Sequence, residues 1–294
     1  MSTQQIAILI DGGFFLKRIR RLLPPGDIDT PEKIARAVRE LCFQHVMRLK
    51  RGSGRNWQQH LYRAFFYDAQ PYTGKAHHPI ANKSVDFSQS DVALHREALF
   101  QCLRKERKVA LRLGKVTREH DWSLLPKFNK DILKTRQQLS PLQTLLPLLQ
   151  NATDTSQPQT LQVSFTPEQA KLLAHAYNFW HDMKADDVEL GLRQKGVDMR
   201  IAIDIASITL KKQAQTIILV SGDSDFVPAA KLARREGMEF ILDPLWQHVN
   251  DDLFEHIDDL QSGLKRPQLS DAKPPRSGSI IEQIDDENVH QGAN

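Results

Sequence analysis

The chain has 294 residues, of which 40% are hydrophobic and 26% charged, an ordinary globular composition that excludes wholesale disorder and fibrous architectures. The net charge of +4 hides an uneven distribution, with twelve Lys/Arg against six Asp/Glu in residues 1–68, eleven against four in 104–136, and four against twelve in 239–294. No apolar run reaches the ~20 residues of a membrane span. The N-terminus lacks the basic segment of a signal peptide, and Cys42 and Cys102 cannot form a disulfide framework, so a cytoplasmic, reduced protein is expected.

The first strand is Gln5–Ile10, a continuous apolar run suited to burial on both faces, and it stops at the turn sequence Asp11-Gly12-Gly13. Phe14–Leu23 carries a helical apolar stripe and ends at Pro24-Pro25-Gly26. Thr30-Pro31-Glu32 opens a longer helix. His60–Tyr67 reads as a second strand, Asp91–Lys108 as a helix and Val109–Val116 as a half-buried strand. Between Gln137 and Gln162 the chain holds seven glutamines and loses any sustained period, which marks an insertion, with a Leu-rich centre able to form a short docking helix. A helix from Pro167 to about Asp182 follows, then a strand at Asp187–Arg193 and a helix at Asp198–Lys212. Thr216–Val220 is a buried strand, Ser221–Asp225 a turn, Phe226–Glu236 a helix closed by Gly237, and Glu239–Leu242 a last strand.

Strands alternating with helices predict an α/β fold, a parallel sheet with helices on both faces. The expected organisation is one domain over 1–264, interrupted by an insertion around 126–165, with a disordered acidic tail at 265–294. No GxxxxGK[ST] or GxGxxG follows a strand, so Walker NTPase and dinucleotide chemistry are not expected. His77-His78 and His175/His181 lack metalloprotease spacing and read as loop or surface residues, and Ser221 is outside any GxSxG.

In an open parallel sheet, ligands bind beyond the carboxyl ends of the strands where strand order reverses. Two apolar strands end there in acids, the first in Asp11 and Thr216–Val220 in Ser221-Gly222-Asp223-Ser224-Asp225, while Asp198 opens the helix before the latter strand. As neighbours, these acids converge, and converging carboxylates without Cys or His suit Mg²⁺ or Mn²⁺. Each also has a plainer reading as a turn or N-cap residue. Asp204, six residues after Asp198, lies about 120° round the helix from it. Asp68, at the end of the second strand, has an accessory reading, as does Asp243. Lys17, Arg18 and Arg21 follow Asp11, and Arg193 and Lys195 precede Asp198, positions from which cations could hold a phosphate backbone.

Three segments, IAILIDGGFF, QKGVDMRIAIDIAS and ILVSGDSDFVPAAKLARREGMEFIL, resemble the blocks of NYN-domain proteins, part of the PIN-like nuclease group, and FFYDAQPY (65–72) resembles a recurring segment of their bacterial branch. The resemblance covers residues 5–122 and 185–260. It implies a Rossmann-like sheet in the order 3-2-1-4-5 and metal-dependent cleavage of RNA. By the same resemblance Asp11, Asp198 and Asp223 match the metal-binding acids, Asp225 a further acid of the site, and Asp204 a helix aspartate. Many relatives carry Asn where this chain has Phe14. The expected function is an endoribonuclease using Mg²⁺ or Mn²⁺. The alternative is a non-catalytic RNA-binding module. A homo-oligomer or protein partner is expected through the insertion or the tail.

Overall fold

The computed structural model describes residues 5–50, 54, 56–147 and 162–266. Its strands are β1 (Ile6–Asp11), β2 (Leu61–Gln70), β3 (Lys75–His78), β4 (Lys83–Asp86), β5 (Val109–Leu124), β6 (Val188–Lys195), β7 (Thr216–Val220), β8 (Glu239–Asp243) and β9 (Asp259–Leu260). Its helices are α1 (Gly12–Leu22), α2 (Pro31–Leu49), α3 (Asp91–Lys105), α4 (Asn129–Gln138), α5 (Pro167–His181), α6 (Val197–Leu210), α7 (Val227–Arg235) and α8 (Asp251–Phe254). The expected elements are present with ends displaced by a few residues, except that β5 runs on to Leu124 where Val116 was expected.

The described residues fall into two compact units. The first comprises those of Met1–Lys75, Asp86–Glu119 and Leu192–Asn294, and the second Ala76–Val85 and His120–Gly191. Of the expected insertion at 126–165, residues 148–161 lie outside the described residues, as do 267–294 of the expected tail at 265–294. Of the Leu-rich stretch, Ser140–Leu145 is a 3₁₀ turn and residues 146 and 147 are helical.

The main sheet has seven strands in the order β6-β5-β2-β1-β7-β8-β9. This differs from the five-strand order 3-2-1-4-5, because an edge strand is added on each side. β9 pairs in parallel with β8 through Ile241–Asp259 and Leu242–Leu260. At the other edge β6 runs against β5: an added Cβ on Gly114 would lie 2.4 Å from the Lys195 carbonyl, whereas Leu125 N donates to Asp187 O further up the pair. The sheet is therefore mixed, although the pairs from β5 through β9 are parallel.

β1 is central because it can be buried on both sides. Ile6, Ile8 and Ile10 face a layer containing Phe15, Ile19, Val38 and Leu41 of α1 and α2, while Ala7 and Leu9 face Ile201, Ile205 and Ala230 of α6 and α7. Its side chains from Ile6 to Ile10 are fully buried. α1 follows without a loop. Asp11 caps it, accepting from Phe14 N at 3.1 Å, and Gly12 is required because a Cβ there would lie 2.4 Å from the Tyr67 carbonyl and 2.7 Å from the Phe66 ring. Thr30 caps α2 and Ser90 caps α3 by accepting from backbone N–H groups.

In the second unit, Thr166 and Gln169 form a capping box that starts α5, and Phe179 of that helix meets Phe128 edge-on at 6.1 Å. His78 is not a loop or surface residue as expected. It is buried, its Nδ1 accepts from Ile80 N and Ala81 N, and its ring lies 4.4 Å from that of Trp122. Among the described residues, no helix is long and apolar enough to cross a membrane.

Candidate active site at the carboxyl edge of the sheet

Order reverses at β1, which pairs with β2 on one side and β7 on the other. The carboxyl ends of β1 and β7 are therefore adjacent, with Ile10 opposite Val220. Asp11 leaves the end of β1 half-buried. After β7 the chain makes a tight turn in which buried Ser221 accepts from Asp223 N at 3.2 Å and Asp223 caps the following 3₁₀ turn by accepting from Asp225 N at 2.9 Å. β6 returns to this edge at Lys195, and Gly196, with φ of 78°, turns the chain directly into α6. Asp198 thereby sits in the first turn of α6.

These acids sense one another. Burial pushes the Asp11 carboxyl up from 3.8 to about 7, opposed by its bond from Phe14 N and reinforced by the charges of Asp198, Asp68 and Asp223. Burial likewise raises Asp198, and Asp223 and Asp225 raise it further. Asp198, Asp223 and Asp225 are exposed to solvent. Among the described residues none of Asp11, Asp198, Asp223 and Asp225 has a Lys, Arg or His ion pair. What moderates the repulsion is backbone: Asp11 and Asp198 lie at the N-termini of α1 and α6, where unpaired N–H groups and the helix dipole favour negative charge by about 0.3–1 kcal/mol each.

The remaining acids are engaged elsewhere. Asp68 is buried, accepts from Ala69 N and is paired with Arg96 of α3, so its charge reaches Asp11 already partly balanced. Asp204 accepts from the Tyr67 hydroxyl at 2.8 Å and Arg112 Nε at 3.0 Å, on the flank of α6 facing β2 and β5. Asp243 is fully buried against His45. Ser221 serves as a hydrogen-bond acceptor in the turn.

Of the expected cations, Arg18 is half-buried and donates through Nε and Nη2 to the Leu245 carbonyl, at 3.1 and 2.6 Å, so its guanidinium ties α1 to the loop after β8. Burial, and then the charge of Arg21, lowers its pKa. Arg21 is exposed and Lys17 half-buried on the same helix. Arg193 and Lys195 are exposed but share Glu119, at 3.5 and 2.7 Å.

Two contacts were not legible in the sequence. A Cβ on Gly222 would lie 3.0 Å from Phe14 Cε2 and 3.1 Å from Gln247 Nε2, so the Phe14 ring and the Gln247 amide both press on the backbone next to Asp223. Phe14 thus fills space beside the site. Arg96, lying on a helix with no local signal, was equally hidden.

Residues 152–259, carrying Asp198, Asp204, Asp223 and Asp225, match the NYN domain, a PIN-like nuclease domain. Residues 152–259 of this chain are an NYN domain. The matched span begins after β1, so Asp11 is outside it and is brought to the edge carrying Asp223 by the pairing of β1 with β7. No curated protein gives a match. Among solved structures, a protein of unknown function from Vibrio parahaemolyticus is similar at 10% identity, over 89% of this chain and 94% of that one, with a TM-score of 0.37.

The oxygen-only donors of this edge suit a hard divalent cation, and the Asp11 carboxyl is raised chiefly by its burial, with the neighbouring acids adding to it. Among the described residues no three acids, histidines or cysteines are drawn together at ligand spacing.

Proposed function

We propose that this chain hydrolyses RNA phosphodiester bonds with Mg²⁺ or Mn²⁺ held by Asp11, Asp198 and Asp223, with Asp225 as a further acid of the site. The observation that carries the reading is the placing of these four residues, none with a Lys, Arg or His ion pair among the described residues, at the switch point of the sheet, where burial first and the charges of Asp198 and Asp223 among others after it raise the Asp11 carboxyl. A bound divalent cation is one way to offset converging carboxylates that no Lys, Arg or His pairs with. A divalent ion bound there supplies charge neutralisation on the phosphodiester and Lewis-acid activation of water.

The chain's own groups do the rest. Asp198, Asp223 and Asp225 are open to solvent and reachable by a polymer, while Asp11 closes the inner side. The N-termini of α1 and α6 direct backbone N–H groups and positive dipole ends toward the edge where phosphate charge would sit. Arg21, Arg193 and Lys195 are exposed on the flanks and suited to backbone contacts that position a strand without reading its sequence. The choice of RNA rests on the NYN family.

A second reading, an RNA-binding module without turnover, is favoured by one observation, the lack of a closed ligand set among the described residues. One assay separates the two: a mixed-sequence RNA incubated with Mn²⁺ and either the wild-type chain or Asp223→Asn. Cleavage by the first and not the second supports hydrolysis. Metal-independent RNA binding with no cleavage by either supports the module.

A further inference from the structure

Along α6, about 9 Å from Asp198 at 1.5 Å per residue, Asp204 marks a pocket of roughly 280 Å³ that the proposed reaction does not use. It opens between the amino-terminal half of β2, the start of β5 and the carboxyl-terminal half of α6, all within the first unit. Its volume is near the lower end of the ~300–1,000 Å³ range of small-ligand pockets, enough for one nucleotide-sized group and too little for a strand.

The lining has a definite chemistry. Arg63, Arg112 and Lys211 bring three positive charges, and Asp204 is the only acid. Asp204 is already spent on the Tyr67 hydroxyl and Arg112 Nε. Burial and the Asp204 carboxylate hold the Tyr67 phenol protonated, well above its usual range, so it remains the donor in that bond. The same bond fixes Arg112, whose guanidinium carbon stands 5.1 Å over the Phe65 ring and whose terminal nitrogens are left for another acceptor. Arg63 and Lys211 have no ion pair among the described residues. Ser207 adds a hydroxyl, and the Tyr62 ring lies 6.3 Å from that of Phe65 as an aromatic wall.

We infer that this pocket binds the phosphate monoester of a nucleotide, with Arg63, Arg112 and Lys211 on the phosphate and Tyr62 beside the base. The net charge of the lining is +2, which balances the ≈ −1.5 to −2 of a phosphate monoester at pH 7 better than the single charge of a diester. An aromatic wall is sequence-tolerant, because every base has a π-face. The choice of a nucleotide among ring-bearing monoesters rests on the nuclease reading above. The ligand has two sources, a free mononucleotide or the phosphorylated end of an RNA.

The test is isothermal titration of the full chain with AMP and UMP, compared with adenosine and uridine, in the wild type and in Arg63→Ala/Lys211→Ala. Both substituted residues are at the surface, Arg63 and Lys211 being exposed, so the variant is expected to fold. The expected result is one saturable site for each nucleotide, weakened at least about tenfold by loss of the phosphate or by the double substitution. No saturation by about 10 mM nucleotide, or binding that the double variant leaves unchanged, overturns the assignment. A 5′-phosphorylated dinucleotide that binds tighter than AMP identifies an RNA end, and equal or weaker binding identifies the free nucleotide; either supports the site. Asp223→Asn separates this from the catalytic reading. It should keep full AMP affinity while losing cleavage, and an AMP site lost in Asp223→Asn places the ligand at the carboxylates and overturns the pocket.

Discussion

His45 Nε2 lies 2.7 Å from Asp243 Oδ2, and neither side chain has any exposed surface. The same Asp243 carboxylate accepts from Leu245 N at 2.8 Å and Gly263 N at 2.9 Å, so one acid at the end of β8 ties α2 to the loop after β8 and to the segment after β9. Leu245 and Trp246 both hold positive φ, at 46° and 63°, a conformation these bonds help to fix. Asp243 is thereby a structural residue. Asp243→Ala or His45→Ala should destabilise the chain by about 3–5 kcal/mol, the usual cost of stranding one partner of a buried pair. Chemical denaturation of the two variants measures it.

Asp11 gives a pH dependence with a definite sign. Its folded-state value of about 7 lies above the ordinary 3.8, so folding takes up a proton. The associated destabilisation is absent below about pH 4, grows as pH rises, and is complete above pH 7. Asp11→Asn keeps an oxygen to cap α1 and removes the charge. It should therefore raise stability by roughly 2–4 kcal/mol at pH 8 and change little at pH 4. Melting curves of wild type and variant without divalent ions, at the two pH values, decide it.

Gly12 is held to its identity by space, with the Tyr67 carbonyl and Phe66 ring standing where a Cβ would go. Gly12→Ala should cost about 1–3 kcal/mol by forcing α1 away from the end of β2. Because Asp11 caps that helix, metal affinity should fall as well. Gly13, whose added Cβ would meet only Asp11 Oδ1 at 3.5 Å, should tolerate alanine. Paired denaturation and Mn²⁺ titrations distinguish the two glycines.

Much of this was legible from residue patterns, for reasons that also explain what was not. The Ile6–Ile10 run and Thr216–Val220 could be read as strands because full burial on both faces demands continuous apolar sequence. Asp11 and Asp223 could be placed at one sheet edge because each follows such a strand, and Asp198 because it opens the helix that leads to Thr216–Val220. The edge strand β9 could not, since two residues, Asp259 and Leu260, carry no periodicity. The extension of β5 to Leu124 was hidden because its far half is mostly polar, with Arg118–Asp121 exposed and no sustained alternation. Arg18 reads as a phosphate-facing cation on a helical wheel, but its target is the Leu245 carbonyl, 227 positions away, which no local pattern encodes.

Asp198 and Asp204 share α6 but should behave differently. Asp198→Asn removes a charge from the cluster at the carboxyl edge and should lower RNA cleavage by about 10²-fold or more. Asp204→Asn keeps an acceptor for Tyr67 and Arg112 and should leave cleavage within about threefold of wild type, an effect under 1 kcal/mol. Single-turnover rates on one labelled RNA compare them directly.

The proposed chemistry requires a cation at the carboxyl ends of β1 and β7. Crystals soaked in Mn²⁺ and measured for anomalous scattering should show a peak coordinated by carboxylate oxygens of Asp11, Asp198 and Asp223, absent from Asp223→Asn crystals. A fully soaked wild-type crystal with no peak there, or with its Mn²⁺ bound only elsewhere, would contradict it.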